Sequence, residues 1–128
     1  PAIIHPSAYL SHGAQIGEGS VVMPNAVIGP DCNIGAFCIL NTASLLGHDS
    51  KLSDFSSLAP GVSLGGNVEV GDFSAICLGA RIISGIQIGS QTVVGAGAVV
   101  VEDQEAGVVT FGVPARVERR RSPGDLYL

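Results

Sequence analysis

Aliphatic side chains recur at every sixth position over most of this chain. The register holds without a break at Ile4, Leu10, Ile16, Val22, Ile28, Ile34, Leu40, Leu46, Leu52, Leu58, Leu64, Val70, Ile76, Ile82, Ile88, Val94 and Val100. A period of six fits neither the 3.6 residues of a helical turn nor the two-residue alternation of an ordinary strand. It is typical of a hexapeptide solenoid, in which each hexad is a short strand plus a turn and three hexads form one triangular coil.

Two further hexad positions support this interpretation. The position four residues after each aliphatic from Ile4 to Val94 is small or slim, with Ile86 as the one bulky member, so we expect it near the axis on the other side of a corner. Glycine often follows the aliphatic directly, as at Gly47 and Gly65, and we expect it to supply the backbone angles of a turn. Residues eighteen apart should therefore stack at the interstrand spacing of about 4.8 Å.

The predicted fold is all-β. We expect a parallel β-helix of hexapeptide repeats over residues 1–103, with about five triangular coils. Residues 104–128 break the pattern and are expected to form an irregular C-terminal loop and tail that caps or crosses one end.

Composition narrows the function classes. Only 13% of the residues are charged and 46% are hydrophobic, so the side faces look too apolar for a lone prism, and self-association with rotational symmetry is expected. A net charge of −5 argues against nucleic-acid binding. The sequence shows neither a signal peptide nor an apolar run long enough to span a bilayer. Cys32 and Cys38 occupy small core positions, which favours structural thiols in a reducing cytoplasm.

Three histidines, His5, His12 and His48, raise the possibility of a zinc hydrase. His12 and His48 share a column but lie two coils apart, roughly 9.6 Å at the sheet spacing. Zinc holds its nitrogen ligands at about 2.0–2.1 Å, so these two cannot bind one ion within a chain. His5 occupies a different hexad position, and no metal is expected.

His48 is the strongest candidate for catalysis. It follows the inward Leu46 by two residues, so its ring should project outward. Asp49 follows it directly and Asp31 lies one coil away in the column of Asp49, and either carboxylate can fix the imidazole tautomer for general-base work. Gly66 stacks on the His48 column and is expected to leave room and a bare N–H beside a reacting carbonyl. The alternative is an ordinary exposed turn histidine.

Two other clusters leave two interpretations each. Phe37, Phe55 and Phe73 are eighteen apart, so they form either an aromatic rib or a contact surface for another subunit. Most of the basic residues belong to a C-terminal group that is either solvated or contacts a phosphate; its members are Arg116, Arg119, Arg120 and Arg121.

The stretch from Ile4 to Arg116 resembles the C-terminal half of the NeuD family of sialic acid O-acetyltransferases. This family includes the PglD-like bacterial N-acetyltransferases that act on UDP-linked 4-amino sugars. The segments that carry the resemblance are IHPSA (4–8), Asn41-Thr42 with Gly47-His48-Asp49, APG (59–61), GGNVEVG (65–71), VVGAGAVV (93–100) and GVPAR (112–116). The resemblance implies a left-handed parallel β-helix, an exception to the usual right-handed crossover, and a homotrimer with acetyl-CoA between adjacent subunits.

The same resemblance implies the roles of individual residues. His48 would be the general base, Asp49 the acidic neighbour that assists it, and the backbone of Gly66 both a coenzyme contact and the oxyanion donor. Substrate contact is implied for one residue and acetyl-CoA contact for four more; these are Asn41 for the substrate, and Ser57, Leu78, Ala96 and Arg116 for the coenzyme. Ser57 departs from the family, which often has histidine there.

The function implied is transfer of an acetyl group from acetyl-CoA to an amino or hydroxyl group of a nucleotide sugar. The family's N-terminal domain, which holds the nucleotide sugar, has no counterpart in these residues, so either this is the isolated catalytic half or the acceptor is held another way. A cytoplasmic location is expected. The alternatives are an acetyltransferase for a small non-sugar acceptor, a zinc-dependent enzyme of the carbonic anhydrase type, and a non-catalytic solenoid.

Overall fold

The computed structural model describes residues 1–125, and every regular element in that range is a β-strand. Seventeen two-residue strands, β1 to β17, are followed by two longer ones. In chain order they are Ile3–Ile4, Tyr9–Leu10, Gln15–Ile16, Val21–Val22, Val27–Ile28, Asn33–Ile34, Ile39–Leu40, Leu45–Leu46, Lys51–Leu52, Ser57–Leu58, Ser63–Leu64, Glu69–Val70, Ala75–Ile76, Arg81–Ile82, Gln87–Ile88, Val93–Val94, Val99–Val100, Val108–Gly112 and Ala115–Arg120.

The strands stack as the period predicts. Each short strand pairs in parallel with the strand eighteen residues away, so that Ile3 pairs with Val21 and Leu46 with Leu64. Three sheets result, which we call A (β1-β4-β7-β10-β13-β16-β18-β19), B (β2-β5-β8-β11-β14-β17) and C (β3-β6-β9-β12-β15). These pairings confirm a three-sided parallel β-helix, and the left-handed winding stays a prediction.

The aliphatic column forms the core. From Val22 to Val100 every member is buried, because each side chain has a coil above and below it. At the open N-terminal end the same column is partly exposed, with 39% of Ile4 accessible. Within each two-residue strand the second side chain points inward and the first outward, as in any extended segment.

The glycines that follow the aliphatics have a different role from the one the sequence indicates. Their φ angles are not positive. A Cβ there would collide with the next coil, in most cases with its backbone, and one on Gly47 would lie 2.5 Å from the carbonyl carbon of Gly65. The left-handed backbone lies two residues further on, at positions that include Asp49, with φ 58°, and Phe55, with φ 61°. Close approach of the coils, rather than a turn angle, therefore requires these glycines.

The solenoid has about six turns rather than the predicted five, because it resumes after Val100. Strand β18 adds to sheet A by pairing with β16, and Gln104 bridges to Ile88 on sheet C. Val93 pairs with Val109, sixteen residues on instead of eighteen, so the last coil is two residues short. β18 then turns into β19, an antiparallel partner, so much of the C-terminal segment is regular.

The three outward faces differ in polarity. Faces A and B, the outer surfaces of sheets A and B, carry mainly apolar side chains: Ile3, Val21, Ile39, Ser57, Ala75 and Val93 on face A, and Tyr9, Val27, Leu45, Ser63, Arg81 and Val99 on face B. Face C, by contrast, is polar throughout: Gln15, Asn33, Lys51, Glu69 and Gln87. Within residues 1–125 no helix is long and apolar enough to cross a membrane.

Candidate active site

His48 and Asp49 form a pair at the corner where sheet B turns into sheet C. His48 Nδ1 lies 3.0 Å from Asp49 Oδ2, and both side chains are more than half exposed. A carboxylate only accepts, so Nδ1 carries the proton and donates it to Asp49. Nε2 is then the unprotonated nitrogen, which is the tautomer that a general base needs.

Asp31, the other carboxylate considered from the sequence, lies elsewhere. Its Oδ1 covers Gly13, since a Cβ built on Gly13 would collide with that oxygen. Gly13 belongs to the coil on the side of Asp31 away from His48. Asp49 is therefore the one carboxylate of this column that the structure places on the imidazole of His48.

Gly66 lies under the His48 ring, as the stacking predicts. A Cβ on Gly66 would collide with Nε2 and would lie 2.7 Å from Cε1, so only glycine leaves the ring its place. The N–H of Gly66 is not bare, however. It donates to Ser84 Oγ at 3.1 Å, and Gly66 is itself buried. Ser84 lies eighteen residues after Gly66, in the same column, and is exposed.

A cleft of about 260 Å³ on face A brings together three other predicted residues, Asn41, Ser57 and Leu78. Asn41 Oδ1 accepts from the N–H of Thr42 at 2.8 Å, which leaves its amide nitrogen available. Leu78 is 58% exposed, and Ala96, eighteen residues on, follows it along the corner between sheets A and B.

Cys77 also lines this cleft, beside Leu78, and it was not singled out from the sequence. Burial raises the pKa of the Cys77 thiol, so it holds its proton more firmly than a free cysteine does. Its outward position one residue after Ile76 is the sequence signal that would have found it. Ser84 was missed in the same way, although its spacing from Gly66 is the column period.

Within one chain these groups do not meet. His48, Asp49 and Gly66 lie at the corner between sheets B and C, whereas the cleft lies on face A, with sheet B between them. A single chain therefore does not assemble the predicted coenzyme contacts around the predicted base.

Arg116 lies apart from both groups. It is exposed on β19 and lines a cleft of about 340 Å³ together with Glu102, Asp103 and Glu105. A phosphate next to Arg116 would face these carboxylates, which weakens the predicted contact within one chain. A further cleft, about 530 Å³, lies on the neighbouring part of face C, is lined by Glu69, Asp103 and Glu105 among others, and contains none of the predicted residues.

The remaining histidines do not join the site. His5 Nδ1 accepts from the N–H of Ser7 at 3.1 Å and lies 2.8 Å from Ser7 Oγ, near the N-terminal end. His12 shares the His48 column two coils away. In the part of the chain that the structure describes, no group of three or more histidine, cysteine, aspartate or glutamate side chains could hold a metal ion.

Comparison with known proteins identifies both the sequence repeat and the fold of this chain. The profile of the bacterial transferase hexapeptide, six repeats long, matches residues 13–42. GDP-perosamine N-acetyl transferase from Caulobacter crescentus, solved as a histidine-to-alanine mutant with CoA and GDP-perosamine, superposes with a TM-score of 0.91 at 41% identity over 92% of this chain. The chain has the hexapeptide-repeat fold of sugar N-acetyltransferases. No curated protein sequence gives a significant match.

Two further solved structures agree with this result. The acetyltransferase domain of PglB from Neisseria gonorrhoeae, solved also with acetyl coenzyme A, gives a TM-score of 0.90 at 40% identity over 91% of this chain. WeeI from Acinetobacter baumannii gives 0.86 at 34% identity over 88%. The hexapeptide-repeat chain spans 56%, 57% and 55% of these three proteins respectively, so it corresponds to a little over half of each.

Proposed function

We propose that this chain is the catalytic part of an acetyltransferase that moves an acetyl group from acetyl-CoA to the amino group of a nucleotide sugar. The observation that carries the proposal is the His48–Asp49 pair, in which the imidazole Nε2 lies over Gly66. It is supported by the similar fold of enzymes that N-acetylate such sugars and were solved with CoA bound. A hydroxyl acceptor differs only in the atom that His48 deprotonates.

The proposed reaction needs no covalent enzyme intermediate, because a thioester is already activated. The acceptor amine attacks the thioester carbonyl carbon; a C–N bond forms and the π electrons move to the carbonyl oxygen. His48 Nε2 takes the proton that the nitrogen loses, while Asp49 holds Nδ1–H and stabilises the imidazolium. The carbonyl then re-forms, the C–S bond breaks, and the leaving thiolate receives the proton from His48.

Acetyl-CoA is proposed to lie along the cleft on face A, with Ser57 and Leu78 against its pantetheine arm and Ala96 further along the same corner. Leu78 and Ala96 are eighteen apart and so form a continuous column, which suits an extended arm. Asn41 offers its free amide nitrogen to the acceptor. Arg116 remains the candidate for the nucleotide end, where its carboxylate neighbours oppose a phosphate.

A homotrimer is proposed to complete the site. Faces A and B are apolar and face C is polar, so a ring in which face A packs on face B of the next copy covers both apolar faces and leaves face C in water. In such a ring face B of one copy, which ends at the His48 corner, lines the same interface as the cleft on face A of its neighbour. The base and the coenzyme cleft would then belong to different copies.

The test is the His48→Ala variant, with His12→Ala as its matched control at the same corner two coils away. Acetyl transfer to GDP-perosamine and to free amino acids is followed by thiol release. His48→Ala should lower kcat at least about a hundredfold, because general-base catalysis is worth roughly 10²–10⁴-fold, whereas His12→Ala should leave kcat unchanged. Near wild-type turnover in His48→Ala would refute the mechanism, and equal turnover of amino acids would refute the sugar acceptor.

A further inference from the structure

Ser84 occupies the place at this corner where the sequence leads one to expect a bare N–H. The Gly66 amide is buried under the His48 ring, and its hydrogen already points to Ser84 Oγ at 3.1 Å. A carbonyl oxygen arriving from solvent therefore meets the exposed Ser84 hydroxyl before it can reach the amide. The Gly66 N–H is blocked unless Ser84 moves away.

The Ser84 hydroxyl is well suited to this position. A hydroxyl that accepts one hydrogen bond still has its own O–H to donate. Within residues 1–125 no hydrogen bond uses that O–H as donor. A donor that itself accepts from a backbone N–H is polarised by it, so the chain from Gly66 through Ser84 presents a stronger donor than an isolated serine.

We propose that Ser84 is a catalytic residue: its hydroxyl donates the hydrogen bond to the thioester carbonyl oxygen, and the Gly66 N–H acts behind it. This inference rests on the proposed acetyl transfer. As the C–N bond forms, negative charge grows on the carbonyl oxygen and the bond from Ser84 strengthens; the serine proton is not transferred. The bond weakens again when the carbonyl re-forms and the C–S bond breaks.

The position of His48 agrees with this assignment. Its Nε2 and the Ser84 Oγ both lie against Gly66, on opposite sides of that residue along the column. A carbonyl held between them would have the base near the attacking nitrogen and the hydroxyl near the oxygen. That arrangement separates the two roles in space, which a single residue at this corner could not do.

The test compares Ser84→Ala with Ser84→Thr, and His48→Ala serves as the reference for loss of catalysis. Removing one oxyanion donor typically lowers kcat about 10²–10³-fold, so Ser84→Ala should lose about a hundredfold in kcat. Ser84→Thr keeps a hydroxyl and should stay within about tenfold of wild type. The turn accepts threonine, because Thr42 occupies the same turn position at another corner.

Affinity for CoA, measured by calorimetry, distinguishes a catalytic role from a structural one. CoA lacks the acetyl carbonyl, so Ser84→Ala should bind CoA like wild type while its kcat falls. If Ser84→Ala keeps or gains turnover while His48→Ala is inactive, Gly66 acts directly and the inference is overturned, but the proposed function stands. A parallel fall in CoA affinity and kcat would also overturn it. A wild-type protein with no acetyl transfer would refute the function itself.

Discussion

Replacing Asp49 with asparagine tests the most specific contact of the site. Asparagine keeps the size of the side chain and tolerates the left-handed backbone at this position, where φ is 58°. It removes the charge, and its amide can present either an oxygen or an NH₂ group to His48 Nδ1. When the NH₂ group donates to Nδ1, the proton moves to Nε2, and Nε2 can no longer act as the base.

The size of the effect follows from the exposure of the pair. Hydrogen bonds to charged groups contribute about 1.5–3 kcal/mol, and exposure places this one at the lower end. The side chains of His48 and Asp49 are 59% and 53% exposed, and Nδ1 lies 3.0 Å from Oδ2. We therefore expect Asp49→Asn to lose about 1.4 kcal/mol of transition-state stabilisation. That corresponds to about a tenfold fall in kcat.

Asp31→Asn is the matched control. Asp31 lies eighteen residues before Asp49 with the same φ of 58°, but its carboxylate covers Gly13 and does not contact His48. Steady-state kinetics should show the fall in Asp49→Asn alone, with thermal unfolding unchanged in both variants. Asp49→Asn within twofold of wild type, or an equal fall in both, would contradict the assignment of Asp49.

Two other predictions address the coenzyme cleft and the assembly. Because the pKa of the Cys77 thiol is raised, less of it is thiolate at a given pH, and iodoacetamide should alkylate it more slowly than free cysteine and faster as the pH rises. CoA bound in the cleft should slow the alkylation further. The extent of alkylation is measured by mass spectrometry, with buried Cys38 as the internal reference. No protection by CoA would place the coenzyme elsewhere. If each site takes one half from each of two copies, as proposed, mixing inactive His48→Ala with inactive Leu78→Arg after dissociation should restore about one quarter of the sites. Mixtures that stay inactive would mean that one chain supplies both halves.

The column contacts of the site were predictable because they follow from the period alone. Stacking at eighteen residues places Leu46 on Leu64 and His48 over Gly66, and the structure shows both. The same period could not choose between Asp31 and Asp49. Both occupy one column, and side-chain direction, which the spacing does not contain, decides the partner.

Other features could not be predicted from the six-residue period, for identifiable reasons. The last coil is two residues short, so Val94 of the aliphatic series pairs with Thr110, sixteen residues on, where the period of eighteen does not point. The direction of an N–H along the stack is likewise invisible in the sequence. The N–H of Gly66 points toward the following coil, where it donates to Ser84 Oγ, and not toward His48.

The polarity of the three faces bears on both how copies of the chain would pack and where the candidate catalytic residues would meet. A triangular rod with two apolar faces and one polar face can cover both apolar faces in a closed ring in which face A packs on face B of the next copy, and the ring that we propose has three copies. In that proposed ring, face B of each copy, which ends at the B–C corner, would lie against face A of the next. Because His48 lies at the end of face B and Ser57 lies on face A, the proposed ring would place residues that one chain keeps apart in one interface. In that arrangement the outward side chains of β1 to β17 would determine how the catalytic residues meet as well as how the copies pack.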